Sequence, residues 1–166
     1  MIASFVLAFA VVLAASGTLA AAPATAEAAS RLDRTERTVI KLINAYRARH
    51  GRARLRTSGR LNRAADRHSR AMLVHDFFAH ASHNGTAAAT RVRRSTRARS
   101  VGENIAFVGS GQRRLARIVV SMWIDSAKHR EVLLHPSFRR IGVARRAGNL
   151  RGSRGNTITA DFASRR

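Results

Sequence analysis

The sequence predicts an α+β fold in which the helices come first and the strands come last. Apolar residues recur at helical spacing in separate stretches before Pro136. Beyond Pro136 the spacing changes to that of strands, on both sides of a connection rich in Gly and Arg. Helices and strands that are segregated along the chain are typical of α+β domains rather than of a parallel α/β sheet.

The first helix is predicted over residues 34–50. Asp33 precedes Glu36 by three residues, which is the spacing of a capping box. Gly51 follows at the position where a helix end favours a left-handed residue. The apolar positions between these signals have helical spacing and are Val39, Leu42, Ile43 and Tyr46. This segment is therefore predicted to be an amphipathic helix with good caps.

A second helix is predicted to start near Ser58. One stripe of this helix carries Leu61, Ala65, His68, Met72 and His75. His68 is predicted to be a partly buried helix residue with no assigned role. Residues 81–100 have no clear period and are rich in polar and small residues. They predict a loop with no more than one short helical turn.

A third helix is predicted from a Ser110 cap to about Ala127. Its apolar face consists of Leu115, Ile118, Val119, Met122 and Trp123. A further short turn is predicted over residues 129–134, and Pro136 ends it because proline cannot continue a helix. The ordered segment that opens at residues 102–105 precedes this helix.

Two strands are predicted near the end of the chain. Their apolar positions are Phe138, Ile141 and Val143 in the first strand, and Ile158, Ala160 and Phe162 in the second. Residues 148–155, which are rich in Gly, Arg, Asn and Ser, are predicted to form the hairpin loop between them.

Residues 1–29 predict a secretory signal peptide, and residues 30–166 form the predicted mature domain. Residues 2–15 are almost entirely apolar, and small residues acceptable to a signal peptidase follow. The alternative is an uncleaved membrane anchor, which usually needs ~20 strongly apolar residues. Cleavage is favoured because the strongly apolar run ends near Ala15. The chain has no Cys, and export without disulfides fits a bacterial envelope or medium better than a eukaryotic secretory route.

Basic residues outnumber acidic ones by 31 to 9, so the net charge is +22. Such an excess indicates attraction to polyanions, of which anionic envelope polymers and anionic lipid suit an exported chain. Nucleic acid is a poorer candidate because of the predicted export and because the basic residues are not interleaved with aromatic ones. The alternative explanation is codon bias in a GC-rich genome, with Arg acting only as a solvated surface residue.

Three motifs place polar side chains beside apolar anchors, and their order is informative. They are Phe78-Ala79-His80-Ala81-Ser82, then Gly102-Glu103-Asn104-Ile105, then a stretch with Trp123, Ser126, His129, Arg130, Leu133 and Leu134. Pro136, Phe138 and Ile141-Gly142-Val143 follow. Together they resemble the CAP superfamily in its bacterial, SCP-like form, which is related to the cysteine-rich secretory proteins, antigen 5 and the pathogenesis-related proteins. The likeness runs from about Val39 to Phe162.

The resemblance implies an α-β-α sandwich in which helices flank a small, mainly antiparallel sheet. It also implies a cleft of histidines and acidic residues that binds a divalent metal such as zinc in some members. The matching positions are His80, Glu103 and His129, and two imidazoles with one carboxylate are a sensible three-ligand zinc set. Ser126 stands where eukaryotic members have a second Glu, and the adjacent Asp125 should point elsewhere. The alternative is a hydrogen-bonded His-Glu-His cluster without metal.

Three functions stay open at this point. The favoured one is a secreted, non-catalytic binding module for an apolar small ligand, such as a lipid, or for a wall fragment. The second is a metal-dependent hydrolase or protease that uses the His-Glu-His cleft. The third is a cationic protein that acts through charge alone. The residues offer no convincing nucleophile, because Cys is absent and Ser82 and Ser126 lie near candidate histidines only by family analogy.

Overall fold

The structure is a computed structural model that describes residues 32–165. The predicted signal peptide therefore lies outside the described residues. Along the described range the elements follow one another as α1 (Arg34–Arg49), β1 (Arg56–Thr57), α2 (Gly59–Val74), α3 (Ala88–Thr96), β2 (Val101–Gly109), α4 (Leu115–Asp125), α5 (Ala127–Leu134), β3 (Phe138–Leu150) and β4 (Ser153–Ser164).

The four strands form one sheet in the order β1-β3-β4-β2. The pairs β3–β4 and β2–β4 are antiparallel, and the short β1 pairs with β3 in parallel. Helices α2 and α3 pack on one face of the sheet, while α1, α4 and α5 pack together on the other. The predicted α+β sandwich with a mainly antiparallel sheet is therefore confirmed.

The capping box predicted for the first helix is present. The Asp33 carboxylate accepts from the Glu36 backbone N–H at 2.7 Å, and the Glu36 carboxylate accepts from the Asp33 N–H at 2.7 Å. These two bonds satisfy backbone donors that a helix start leaves without partners. Gly51, just beyond the helix end, has a φ of +63°, as predicted.

Two predictions about the middle of the chain are wrong. Residues 88–96 form a nine-residue helix where a loop was predicted, and this helix buries only Val92 and Thr96. A helix that contacts the domain through so few side chains leaves no apolar period in its sequence. Ser110 does not cap α4, which begins at Leu115 without a side-chain cap; the Ser110 N–H instead donates to the Arg154 carbonyl at 3.1 Å.

The two late strands are longer than predicted and their connection is shorter. Strand β3 continues to Leu150 and β4 begins at Ser153, so a two-residue turn replaces the predicted loop. Both turn residues, Arg151 and Gly152, have positive φ values, 50° and 75°. Such turns match the right-handed twist of a hairpin, which allows the strands to pair up to the turn.

The core is divided between the two faces of the sheet. The larger cluster lies between the sheet and helices α1, α4 and α5 and includes Ile43, Trp123, Ile158 and Phe162, each at most 1% exposed. On the opposite face α2 approaches β3 so closely that a Cβ on Gly142 would lie 2.2 Å from the backbone of Leu61 and Asn62. Only glycine fits there, and this contact holds α2 over the strands that carry the candidate site.

Candidate functional site

A buried carboxylate, Glu103, is the centre of the most polar cluster on the α2–α3 face. Glu103 lies on β2, which is an edge strand of the sheet, and it is 7% exposed. Its partner across the antiparallel pair is Asp161 on β4, which is fully buried. Directly opposed residues of paired strands project from the same face, so two acidic side chains share one buried space.

Three basic side chains surround the Glu103 carboxylate. The Nδ1 of His80 forms a 2.9 Å hydrogen bond with Oε1, and a guanidinium nitrogen of Arg91 forms an ion pair with Oε2. The Nε2 of His68 lies 3.9 Å from Oε1. Both carboxylate oxygens of Glu103 are therefore engaged by side chains of the protein.

Each of these side chains comes from a different segment. His68 lies on the buried stripe of α2, where its Nε2 also bonds to the Ala79 carbonyl at 3.0 Å. His80 lies in the connection between α2 and α3. Arg91, on α3, donates to the His80 carbonyl at 3.1 Å and to the Ser82 hydroxyl at 3.2 Å. Arg91 thus holds the connection and the carboxylate at the same time.

The environment keeps Glu103 ionised. Burial acts to raise the pKa of Glu103, but the hydrogen bond from His80 and the charge of Arg91 outweigh it and hold the pKa below its usual value. Burial lowers the pKa of His68, although the charge of Glu103 opposes that shift, so His68 favours its neutral form.

Asp161 is held in the opposite protonation state. Complete burial raises the pKa of Asp161 well above its usual value, and the Glu103 carboxylate raises it further. Among the described residues neither carboxylate oxygen of Asp161 has a hydrogen-bond partner, so an ionised Asp161 would be a buried charge without compensation and a proton is favoured on this carboxyl group. Since Arg91 and His80 stabilise the charge on Glu103, the proton resides on Asp161 and the pair titrates as a unit.

His129 reaches this region from the other layer of helices. It lies in α5, and its backbone carbonyl accepts from the Asn104 side-chain amide at 3.1 Å. Burial lowers the pKa of His129, and the charge of His80 lowers it further. The Nδ1 of His129 is buried and has no hydrogen-bond partner among residues 32–165.

With this geometry known, comparison with known proteins identifies the chain's relatives. The model of the CAP family, described as the cysteine-rich secretory protein family, matches residues 40–161. The chain belongs to the CAP family. A curated relative, the uncharacterised protein YkwD of Bacillus subtilis strain 168, is 33% identical over 134 residues, which are 76% of this chain and 51% of the relative. The CAP chain thus spans about half the length of that relative.

Solved structures agree with the assignment to the CAP family. An extracellular protein of Bacillus anthracis that contains an SCP domain superposes with a TM-score of 0.62 at 25% identity, covering 79% of this chain and 40% of that one. An outer surface protein of Borrelia burgdorferi has a TM-score of 0.67 at 18% identity, covering 81% of this chain and 97% of that one, and supports the fold alone. Within residues 32–165 no helix is long and apolar enough to cross a membrane.

The structure brings the predicted trio of the CAP cleft into one region but does not converge it on one point. His80 and Glu103 are hydrogen-bonded, whereas no hydrogen bond among the described residues joins the His129 ring to either of them. Asp125 is exposed, and its carboxylate accepts from Ser121 at 3.2 Å, so it points away from the cleft as expected. The sequence analysis did not identify Arg91 or Asp161, and it assigned no role to His68. The His68 side chain is 1% exposed and lies beside Glu103.

The donors of this CAP chain do not offer a ready three-ligand metal site. A cation at Glu103 would face the Arg91 guanidinium and would compete with His80 for Oε1. Among the residues described, no group of three or more His, Asp or Glu is arranged to hold a metal ion. The zinc set of His80, Glu103 and His129 therefore stays a prediction.

The serines near the site are not arranged as nucleophiles. The Ser82 hydroxyl accepts from Arg91 rather than contacting an imidazole. In the hydrogen bonds that link residues 32–165, His80 uses its Nδ1 on Glu103, and no serine or threonine hydroxyl bonds to a histidine ring. A nucleophile needs a base within hydrogen-bond reach. The arrangement can orient a ligand at the exposed edge of His80, which is 52% exposed, and it can stabilise negative charge through Arg91.

Proposed function

We propose that this CAP-family chain is a secreted, non-catalytic binding module that acts at the cell envelope or outside the cell. Its basic surface holds it to anionic envelope material, and its cleft takes a ligand, either an apolar small molecule or a wall fragment. The observation that carries the proposal is the engagement of Glu103 by Arg91 and His80. This engagement uses the central carboxylate as a structural counter-ion rather than as a free base.

The charge of the chain supports the location part of this proposal. The chain has nine acidic and 31 basic residues, and three of the acidic residues form ion pairs with arginines of the domain. Asp33 pairs with Arg145 at 2.8 Å, Asp66 pairs with Arg146, and Glu103 pairs with Arg91. Most arginines are therefore available to external anions. The positive electrostatic potential that they create attracts the protein to anionic polymers.

The proposed electrostatic attachment to the envelope predicts that salt releases the protein from cell walls. We expect purified protein bound to isolated bacterial cell walls to be released steeply as NaCl rises, because exposed charges are screened beyond ~10 Å at 0.1 M salt. The measurement is the bound fraction across a salt series, read by quantitative gel. A His80→Ala variant is the control, since it alters the cleft without removing an arginine, and it should elute at the same salt. Retention that is indifferent to salt would refute the electrostatic attachment.

The alternative function is a metal-dependent hydrolase that uses His80, Glu103 and His129. It is favoured by one observation: the Nδ1 of His129 is buried and has no hydrogen-bond partner in the part of the chain that the structure describes. If this alternative holds, elemental analysis of the purified protein should find stoichiometric zinc that a His80→Ala, His129→Ala double variant lacks. We expect no bound zinc and an unaltered circular dichroism spectrum in chelator, because Arg91 occupies Glu103.

A further inference from the structure

A long hollow lined by arginines runs along α2 where α3 packs beside it. Its middle part has a volume of about 460 Å³. The residues that line it are Arg60, Arg63 and Arg67 from α2, with Arg94, Ser95 and Arg97 from the α3 side. We call these five arginines and the space between them the arginine groove. No acidic residue is part of its lining.

The arginine groove continues at both ends. One neighbouring hollow shares Arg60 and Arg63 and extends to Arg140, and another shares Arg67 and Arg94 and extends to His75 and Arg91. The line from Arg60 to His75 covers 15 residues of helical rise, which is about 22 Å. The groove and its two extensions together are therefore longer than the middle part alone, and one end reaches Arg91 beside the candidate site.

The arginines of the groove have no carboxylate counter-ion among residues 32–165. Within the described part of the chain none of the five forms an ion pair or a side-chain hydrogen bond. Asp66, the carboxylate of α2, pairs with Arg146 instead. Spacings of three and four residues place Arg60, Arg63 and Arg67 on one face of α2, where like charges repel one another. A bound anion would relieve that repulsion.

The length and the lining of the groove restrict the class of anion that it can bind. A row of arginines along about 22 Å of helix suits a linear anionic chain, whose charges also lie in a row. No Phe, Tyr or Trp lines the middle part or its two extensions, whereas single-stranded nucleic acid is held largely by stacking on aromatic rings. Guanidinium forks match phosphate oxygens, and a phosphodiester presents two free oxygens, so arginines from both walls can donate to one phosphate.

We propose that the arginine groove binds a linear polymer with a phosphodiester backbone, of the kind that makes a cell wall anionic. This inference rests on the proposed envelope function, for which it names the binding surface and the class of ligand. Phosphates along the polymer pair with the five arginines in turn, and the end of the polymer lies near Arg91 and His80.

The test measures binding of a fluorescently labelled glycerol phosphate oligomer by anisotropy. We expect the variant Arg60→Gln, Arg63→Gln, Arg67→Gln to lose about tenfold or more in affinity, with the slope of log K against log salt reduced by about 2, since each phosphate contact contributes roughly 0.7. The double variant Arg94→Gln, Arg97→Gln, from the other wall, should reduce the slope by about 1. Far-UV circular dichroism checks that each variant is folded.

A matched triple variant removes the same charge elsewhere. Arg49, Arg52 and Arg54 are exposed and lie outside the groove, and their change to Gln should alter the affinity by less than about twofold. Equal losses for both triple variants would mean that net charge alone acts and would overturn the groove.

Three competitors identify the ligand class. Tighter binding of a single-stranded DNA oligomer of equal charge, of phosphatidylglycerol vesicles, or of polyglutamate would overturn the assignment to a wall-type phosphate polymer. The proposed function fails separately, if salt does not release the wild-type protein from walls.

Discussion

Glu103→Gln is expected to lower the free energy of unfolding by about 3 kcal/mol at pH 7, because it leaves a buried guanidinium without its carboxylate. The Arg91 side chain is 12% exposed and pairs with Glu103, which is buried beside it. Glutamine keeps the shape of the side chain and one acceptor oxygen, so the loss reports charge rather than packing. Urea denaturation monitored through Trp123, which is buried and donates to the Ile105 carbonyl at 3.0 Å, gives the measurement.

Asp161→Asn is expected to have the opposite effect. Since the pKa of Asp161 is raised in the folded protein, folding keeps a proton that the unfolded chain releases. The stabilising contribution is present below the unfolded pKa and is lost as pH rises toward the folded pKa. An amide needs no such proton, so the variant should exceed the wild type by about 1 kcal/mol at pH 7, and the advantage should grow as pH rises from the unfolded pKa of about 3.9 toward the raised pKa of the folded protein. A variant that is less stable than the wild type at every pH would contradict this protonation state.

The double variant Glu103→Gln, Asp161→Asn tests whether the two carboxyl groups titrate together or independently. In Glu103→Gln the charge that raises the Asp161 pKa further is gone and Arg91 has lost its carboxylate, so the pKa of Asp161 should fall and its ionised form should partly replace the lost counter-ion. Adding Asp161→Asn removes that replacement. The double variant should therefore be less stable than the sum of the single effects predicts, by about 1–2 kcal/mol. Additive effects would mean that Asp161 and Arg91 do not interact.

The stability of the wild type should also fall in acid, for a separate reason. The pKa of Glu103 is depressed in the folded state, so its contribution is present above the unfolded pKa and is lost as pH falls through the folded pKa. Glu103 and Asp161 thus act in opposite directions along the pH axis. The Glu103→Gln variant should lose the part of the acid transition that belongs to Glu103.

The fold was predictable where local signals and tertiary packing agree. The capping box at Asp33 and the apolar stripe of α2 both act through contacts within a few residues, and both predictions are confirmed. Helix α3 was missed because it buries only Val92 and Thr96 and has no N-terminal cap. Its position depends on Arg91 and on packing against β2, which are tertiary contacts that no local pattern records.

The site was predictable in part, and only through the family resemblance. Glu103 and His80 belong to recognisable motifs, and the structure joins them by a hydrogen bond. Arg91 is one of 29 arginines among the 31 basic residues, so nothing in the sequence distinguishes it. Asp161 did leave a signal, since it is the acidic residue within the buried run of β4. A carboxyl group in such a run needs a proton or a partner, and that consideration would have pointed to Glu103.

Arg47→Met is expected to lower the free energy of unfolding by about 3–5 kcal/mol. Arg47 is 0% exposed. Its guanidinium donates to four backbone carbonyls: Ala53 at 2.9 Å, Leu133 at 2.5 Å, His135 at 3.3 Å and Phe138 at 3.3 Å. One side chain thus joins α1 to the α1–β1 connection, to the end of α5 and to the start of β3.

The carbonyls around Arg47 explain why methionine cannot replace it. Burial lowers the pKa of Arg47 to about 10, so the group is still charged at neutral pH and its donors remain available. Methionine fills a similar volume but leaves those carbonyls without their donor, and each buried acceptor without a partner costs about 1–3 kcal/mol. Arg54→Met, at an exposed position near the same connection, should change stability by less than about 0.5 kcal/mol. If both variants unfolded at the same urea concentration as the wild type, the carbonyl contacts of Arg47 would not stabilise the domain, and another interaction would have to position α5 beside the site.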